Sequence, residues 1–156
     1  MKRPTLLGAV AVTMLTASLF AADAINLEGI KCVMNPRAKA KAVKSLDYKG
    51  GKVFFCCDNC PKGFTAKIKA GDELVAAKGN AQLVATKQAK QGKCPLTGRP
   101  INAEQTVKVA GATVAFCCPN CKGKVAGLEG NEQLLAALGN TAFKKGEFKV
   151  PKAEEE

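Results

Sequence analysis

The hydrophobic pattern opens on one unbroken apolar run, Leu6 to Phe20, and then breaks into short stretches of strand and helix spacing that come round twice. The run is 15 residues long, with Lys2 and Arg3 before it and Ala22-Asp23-Ala24 after it. It is short for a membrane span. A positive start, an apolar stretch and an A-x-A site together read as a secretory signal over residues 1–24, with cleavage after Ala21 or Ala22 also open. The competing reading is an uncleaved N-terminal anchor helix. Export would place the mature chain in the periplasm or outside the cell, with no stable membrane insertion once the signal is cleaved.

The first pass of the pattern spans residues 25–90. Cys32-Val33-Met34-Asn35-Pro36 is a turn, because Asn-Pro breaks regular structure. Val43 to Tyr48 and Lys52 to Phe55 read as strands around Lys49-Gly50-Gly51, where Gly-Gly supplies the positive φ angles of a hairpin. A helix is expected from Pro61 to about Lys69, with Phe64 and Ile68 on one face and Gly71 as its stop. Asp72 can cap a second helix, expected to run brokenly past Gly79 to about Leu83.

The second pass spans residues 91–150. Cys94-Pro95-Leu96-Thr97-Gly98 is the opening turn, and Thr106 to Val109 and Thr113 to Phe116 are strands around Ala110-Gly111. A helix after Cys121 carries Val125 and Leu128, and Asn131 to Asn140 parallels Asp72 to Asn80. Residues 151–156 form a short charged tail. The expected fold is α+β, built from two small repeated units. Each unit is a β-hairpin with a cysteine knuckle packed on one or two short helices, in the manner of a zinc finger.

The cysteines sharpen the repeat. Cys56, Cys57 and Cys60 recur 61 positions on as Cys117, Cys118 and Cys121, and Cys32 recurs 62 positions on as Cys94. These are all eight cysteines of the chain. A unit of about 60 residues buries only a marginal core and commonly adds disulfides or a metal. The chain has no histidine, so imidazole ligands, imidazole bases and Cys-His nucleophile pairs are excluded. No carboxylate pair, Ser-His-Asp arrangement or phosphate loop stands out, and an enzyme is not expected.

The formal charge is +11 over 156 residues; loss of Lys2, Arg3 and Asp23 with the signal would leave about +10. The lysines are spread over both units without interleaved aromatics, so they read as a solvated coat, and no nucleic-acid partner is expected. Phe54, Phe55, Phe116 and Tyr48 read as core residues.

Cys57-x2-Cys60 has zinc-knuckle spacing and Cys56-x3-Cys60 is its looser relative. Both sit where a helix begins, and N–H groups there favour the thiolate. Three or four sulfurs without nitrogen suit zinc, cadmium, mercury or copper(I). Two other readings compete. Even cysteine counts in an exported chain commonly mean a disulfide-stapled structural or interaction module without metal. A C-x2-C before a helix also suits a dithiol oxidoreductase, although no Trp precedes it and no βαβ pattern surrounds it.

The order Cys, Gly-centred hairpin, Phe-Cys-x3-Cys, helix resembles the YHS and TRASH domains, small cysteine motifs associated with heavy-metal binding and metal sensing. Their pattern is Cys-x(about 20)-Cys-x3-Cys; the gaps here are 23 and 22 residues. Cys57 and Cys118 stand where the family commonly has serine. The resemblance covers both units and implies Cys32, Cys56, Cys60 and Cys94, Cys117, Cys121 as ligands. It leaves open whether Cys57 and Cys118 are fourth ligands, free thiols or disulfide partners. On this reading all eight cysteines are candidate metal residues. The expected cofactor is one thiophilic ion per unit, zinc or an ion such as copper(I), and the expected function is to bind, sequester or pass on that ion.

Overall fold

The computed structural model describes residues 25–151. The expected signal, residues 1–24, and residues 152–156 of the expected tail lie outside them. The first half holds strand β1 (Lys41–Tyr48), strand β2 (Gly51–Phe55), helix α1 (Asn59–Lys69) and helix α2 (Glu73–Ala85). The second holds strand β3 (Asn102–Val109), strand β4 (Ala112–Phe116) and helices α3 (Pro119–Ala126), α4 (Gly130–Leu138) and α5 (Asn140–Lys145). The architecture is α+β, with two separate antiparallel hairpins, β1-β2 and β3-β4. No described helix is long and apolar enough to cross a membrane.

Both hairpins close through a two-residue turn whose central residues have positive φ, Lys49 and Gly50 at 50° and 84°, Ala110 and Gly111 at 48° and 85°. This is the primed turn that matches strand twist. The second glycine of the Gly50-Gly51 pair therefore supplies no positive φ, contrary to the sequence reading. Gly51 is needed for space, since a Cβ there would lie 2.8 Å from Leu83 Cδ2 and 2.9 Å from Gln88 Oε1. Both ladders also break in the same way. Lys41 pairs with Phe55 and Ser45 with Phe54, and the shift recurs 61 positions on as Asn102 with Phe116 and Thr106 with Ala115. The strands β1 and β3 thus begin earlier than their apolar pattern indicates, because backbone pairing resumes beyond the bulge.

Three helix expectations need correction. α2 runs unbroken to Ala85, with the Asp72 carboxylate accepting the Val75 N–H at 3.0 Å as its cap. Gly79 does not interrupt it; a Cβ there would sit 3.0 Å from the Tyr48 ring and 3.1 Å from the Phe64 ring. Those rings meet edge to face at 5.2 Å, so the glycine lets α2 cross close over them. α3 ends at Ala126 with Gly127 as its cap, which leaves Leu128 beyond the helix. The stretch from Asn131 to Asn140 splits at the extended Gly139, and α5 follows it, where Phe143 stacks on Phe148 at 4.9 Å.

One buried apolar cluster runs through both halves, from Val53, Phe55 and Phe64 through Leu83 to Val114, Phe116, Val125 and Leu138. α2 lies at its centre and packs on β2, β4, α4 and α5. The joint is also polar. Fully buried Asn80 donates from Nδ2 to the Leu138 carbonyl at 2.8 Å, and Lys49 Nζ donates to Asn80 Oδ1 and Asn140 Oδ1. Lys90 pairs with Lys149 through both backbone hydrogen bonds. Asn80 and Asn140, the last residues of the two parallel stretches, thus share Lys49 at this joint.

Candidate metal centres

Each cluster takes its sulfurs from three pieces of chain. Cys32 and Cys94 start tight loops that close on themselves, the Cys32 N–H to the Ala38 carbonyl and the Cys94 N–H to the Arg99 carbonyl, both at 2.9 Å. The first loop is one residue longer, which accounts for the change of offset from 62 to 61. Cys56 and Cys117 follow the last residues of β2 and β4, so the ladder delivers them. Cys60 and Cys121 lie in the first turns of α1 and α3.

The loops are tied to the hairpins by two glutamines that the sequence analysis did not single out. Buried Gln82 on α2 accepts the Phe54 N–H at 2.6 Å and donates to the Phe54 carbonyl at 3.1 Å and the Lys31 carbonyl at 2.8 Å. Gln91 does the same in the second half, accepting the Ala115 N–H at 2.9 Å and donating to the Ala115 and Lys93 carbonyls at 2.7 Å and 2.8 Å. Each amide joins the residue before the lone cysteine to the strand leading into the cysteine pair. Yet Gln82 stands 50 residues after its lone cysteine and Gln91 stands three before its own, so no shared sequence offset marks them. The one available signal was a polar side chain between Ala81 and Leu83, which must find partners if buried.

The result is two triads. The sulfurs of Cys32, Cys56 and Cys60 all lie within 4.8 Å of one another, as do those of Cys94, Cys117 and Cys121. Cys56 and Cys60 Sγ are 3.7 Å apart, and Cys117 and Cys121 Sγ also 3.7 Å. With metal–sulfur bonds of about 2.3 Å, a tetrahedral site places its sulfurs ~3.8 Å apart. The donor set therefore fits a thiophilic ion. Cys57 and Cys118 stand outside the triads but next to them. Cys57 is exposed, with Sγ 3.4 Å from Cys60 Sγ, and Cys118 is half-buried, with Sγ 3.7 Å from Cys117 Sγ. All eight cysteines are free thiols in the structure.

The electrostatics divide the sulfurs into two kinds. Burial raises the Cys94 thiol, but the Thr97 hydroxyl and the N–H groups of Cys117, Thr97 and Leu96 outweigh it and bring it down to about 6. Cys32 is also lowered, burial there being outweighed by the N–H groups of Asn35, Cys56 and Met34 and by the Cys56 thiol. Burial and the neighbouring thiols Cys117 and Cys118 push Cys121 up to about 12, and burial with the Cys57, Cys56 and Cys32 sulfurs raises Cys60. Burial likewise raises Cys56. Cys57 is lowered, first by the Cys60 thiol and then by the Cys60 and Asn59 N–H groups; Cys118 is lowered, first by the Cys121 N–H. Each triad thus combines a loop cysteine that releases its proton more readily with a helix cysteine that holds its proton more tightly, and an incoming cation would displace that proton.

No protein-family model, curated protein or solved structure matches the chain. The triads are therefore read from their own geometry.

Gln82→Leu should weaken metal binding at the first cluster about 10- to 100-fold, the usual cost of losing a group that orients a ligand. The second cluster should be nearly unaffected, and Gln91→Leu should reverse the order. Competition titration against a chelator, with the untouched cluster as internal control, checks both. Equal weakening of both clusters by either variant would mean that the glutamines support the fold generally and not their own triads.

Proposed function

We propose that the protein binds one thiophilic metal ion at each triad and serves, after export, to hold, sequester or pass on that ion. The observation that carries the reading is that two sets of three sulfurs, each from a loop, a strand end and a helix start, converge within 4.8 Å. Three buried or half-buried thiols are costly to gather without a partner for the charge they can carry. A sulfur-only donor set selects zinc, cadmium, mercury or copper(I) over magnesium or calcium. The resemblance to YHS and TRASH domains supports the same reading, with Cys57 and Cys118 as an addition to that pattern. Two repeated units, each with its own knuckle, are part of the proposal.

Metal analysis with thiol counting, on protein purified without chelator, tests it. Two equivalents of a soft ion per chain are expected, with the six triad thiols blocked to a thiol reagent until the metal is removed. Full oxidation to disulfides in protein that is folded without metal would favour the stapled module instead. Reversible oxidation confined to Cys57 with Cys60 and Cys118 with Cys121 would favour dithiol exchange.

A further inference from the structure

The two clusters share a plan but not an environment. In the first, Cys60 is half-buried and its fourth thiol, Cys57, is exposed beside Cys60. In the second, Cys121 is buried at 6 % exposure and its fourth thiol, Cys118, is half-buried. The loops over the clusters differ as well. Thr97 Oγ1 lies 3.3 Å from Cys117 Sγ, so a hydroxyl closes that side of the second cluster. Its counterpart by the 62-residue offset is Asn35, which turns back to accept the Arg37 N–H. The residue after the outer cysteine differs too, Asp58 in the first cluster and Pro119 in the second, where proline stiffens the helix start. Asp58 instead faces solvent and pairs with Lys44.

We propose that the clusters are kinetically unequal: the first is an exchange site, where Cys57 takes over the ion and hands it to an external thiolate acceptor, and the second is a retention site. This rests on the metal-binding reading above. A thiolate-bound ion leaves fastest by substitution, one sulfur arriving as another departs, with no change in the metal's oxidation state. Cys57 lies next to Cys60, so its sulfur can form a bond to the ion as the Cys60 bond breaks. The released Cys60 thiolate takes a proton from water. An acceptor dithiol then gives up its two protons as its two sulfurs replace Cys57 and Cys56, which take up those protons, and a further acceptor thiol replaces Cys32 and protonates it in the same way. The acceptor class is a small dithiol or a protein bearing paired exposed cysteines. At the second cluster the outer sulfur is less accessible and the Thr97 hydroxyl narrows the approach, so the same steps are slow.

The bland role for Cys57 is a helix cap, since its sulfur accepts the Cys60 and Asn59 N–H groups. Serine performs that role well, so Cys57→Ser separates the two. The experiment loads the full chain with two equivalents of zinc, adds an excess of a colorimetric dithiol or pyridylazo chelator, and follows transfer. Two phases of equal amplitude are expected, separated by at least about tenfold in rate, because related sites differ mainly in their off-rates. Cys60→Ser should remove the fast phase and Cys121→Ser the slow one. Cys57→Ser should still hold two zinc ions but lose most of its rate advantage, while Cys118→Ser should leave the slow phase unchanged. The slow phase retained in Cys57→Ser shows that the variant is folded. A single phase in the native chain overturns the inference, as does a fast phase unchanged in Cys57→Ser. Loss of a zinc equivalent in that variant also overturns it, making Cys57 a resident ligand. A chain that takes up no zinc before the challenge overturns the metal-binding reading itself.

Discussion

Cys60→Ser is expected to empty the first cluster and leave the second loaded. Serine oxygen is a poor donor for a soft ion, and removing one of three converging sulfurs takes away the geometry as well as the bond. The loss of affinity should exceed the 10- to 100-fold range of changes behind the ligands, reaching well beyond about 100-fold. Part of that loss appears as stability, because binding energy at such a site is also folding energy. Cys121→Ser should do the same in the second cluster. Cys57→Ser and Cys118→Ser should cost far less, since both sulfurs lie outside the triads. Metal content and thermal unfolding of the four variants give the answer. Equal loss from Cys57→Ser and Cys60→Ser would make each cluster a four-sulfur site, and metal still bound in Cys60→Ser would remove the proposed site altogether.

Leu83→Ala is expected to weaken both halves of the molecule together. Leu83 is fully buried at the end of α2, against Gly51 of β2. Truncating such a residue costs about 2–5 kcal/mol, through lost burial and the cavity left behind. That is a large share of the ~5–15 kcal/mol that stabilises a domain. Because α2 packs on β2, β4 and α4, the loss should not stay in the first half. Urea unfolding of the metal-free protein should show one transition moved to lower urea, with signals from both hairpins moving together. Two transitions, with only the first displaced, would show that the halves are held by separate cores. Val43→Ala is the control: Val43 is 83 % exposed on the bulge of β1, and its removal should change stability by less than about 0.5 kcal/mol.

Much of the local structure was legible. Lys49-Gly50-Gly51 and Ala110-Gly111 announced two turns through their glycines, although the positive φ angles fall on Lys49-Gly50 and Ala110-Gly111, and the flanking β-branched and aromatic residues supplied the strands. Asp72 announced a cap through the chemistry of its carboxylate. The errors came where contact across the fold outweighed local preference. Gly79 looked like a helix break, yet it is a point of close approach to Tyr48 and Phe64. Gly51 looked like a turn residue, yet it makes room for Leu83. The helix α5 lay hidden because its stabilising partner, Phe148, lies beyond its end.

For the candidate site, spacing alone determined which cysteines belong together. Sequence neighbours cannot separate far, so Cys56, Cys57 and Cys60 had to cluster, and the 61-residue offset carried the same statement to Cys117, Cys118 and Cys121. The absence of histidine removed imidazole from the donor set. Only the tertiary structure decided which sulfurs converge. Adjacent side chains at a strand end leave the backbone in different directions, and so Cys56 joins both Cys32 and Cys60 while Cys57 approaches Cys60 from the exposed side and stays outside the triad. Tertiary contact also decided how the lone cysteines reach their clusters, through Gln82 and Gln91, whose amides each bond backbone far along the chain, at Phe54 and Lys31 for Gln82 and at Ala115 for Gln91. Such a bond depends on where two backbones pass each other, and no local pattern in the chain encodes that crossing.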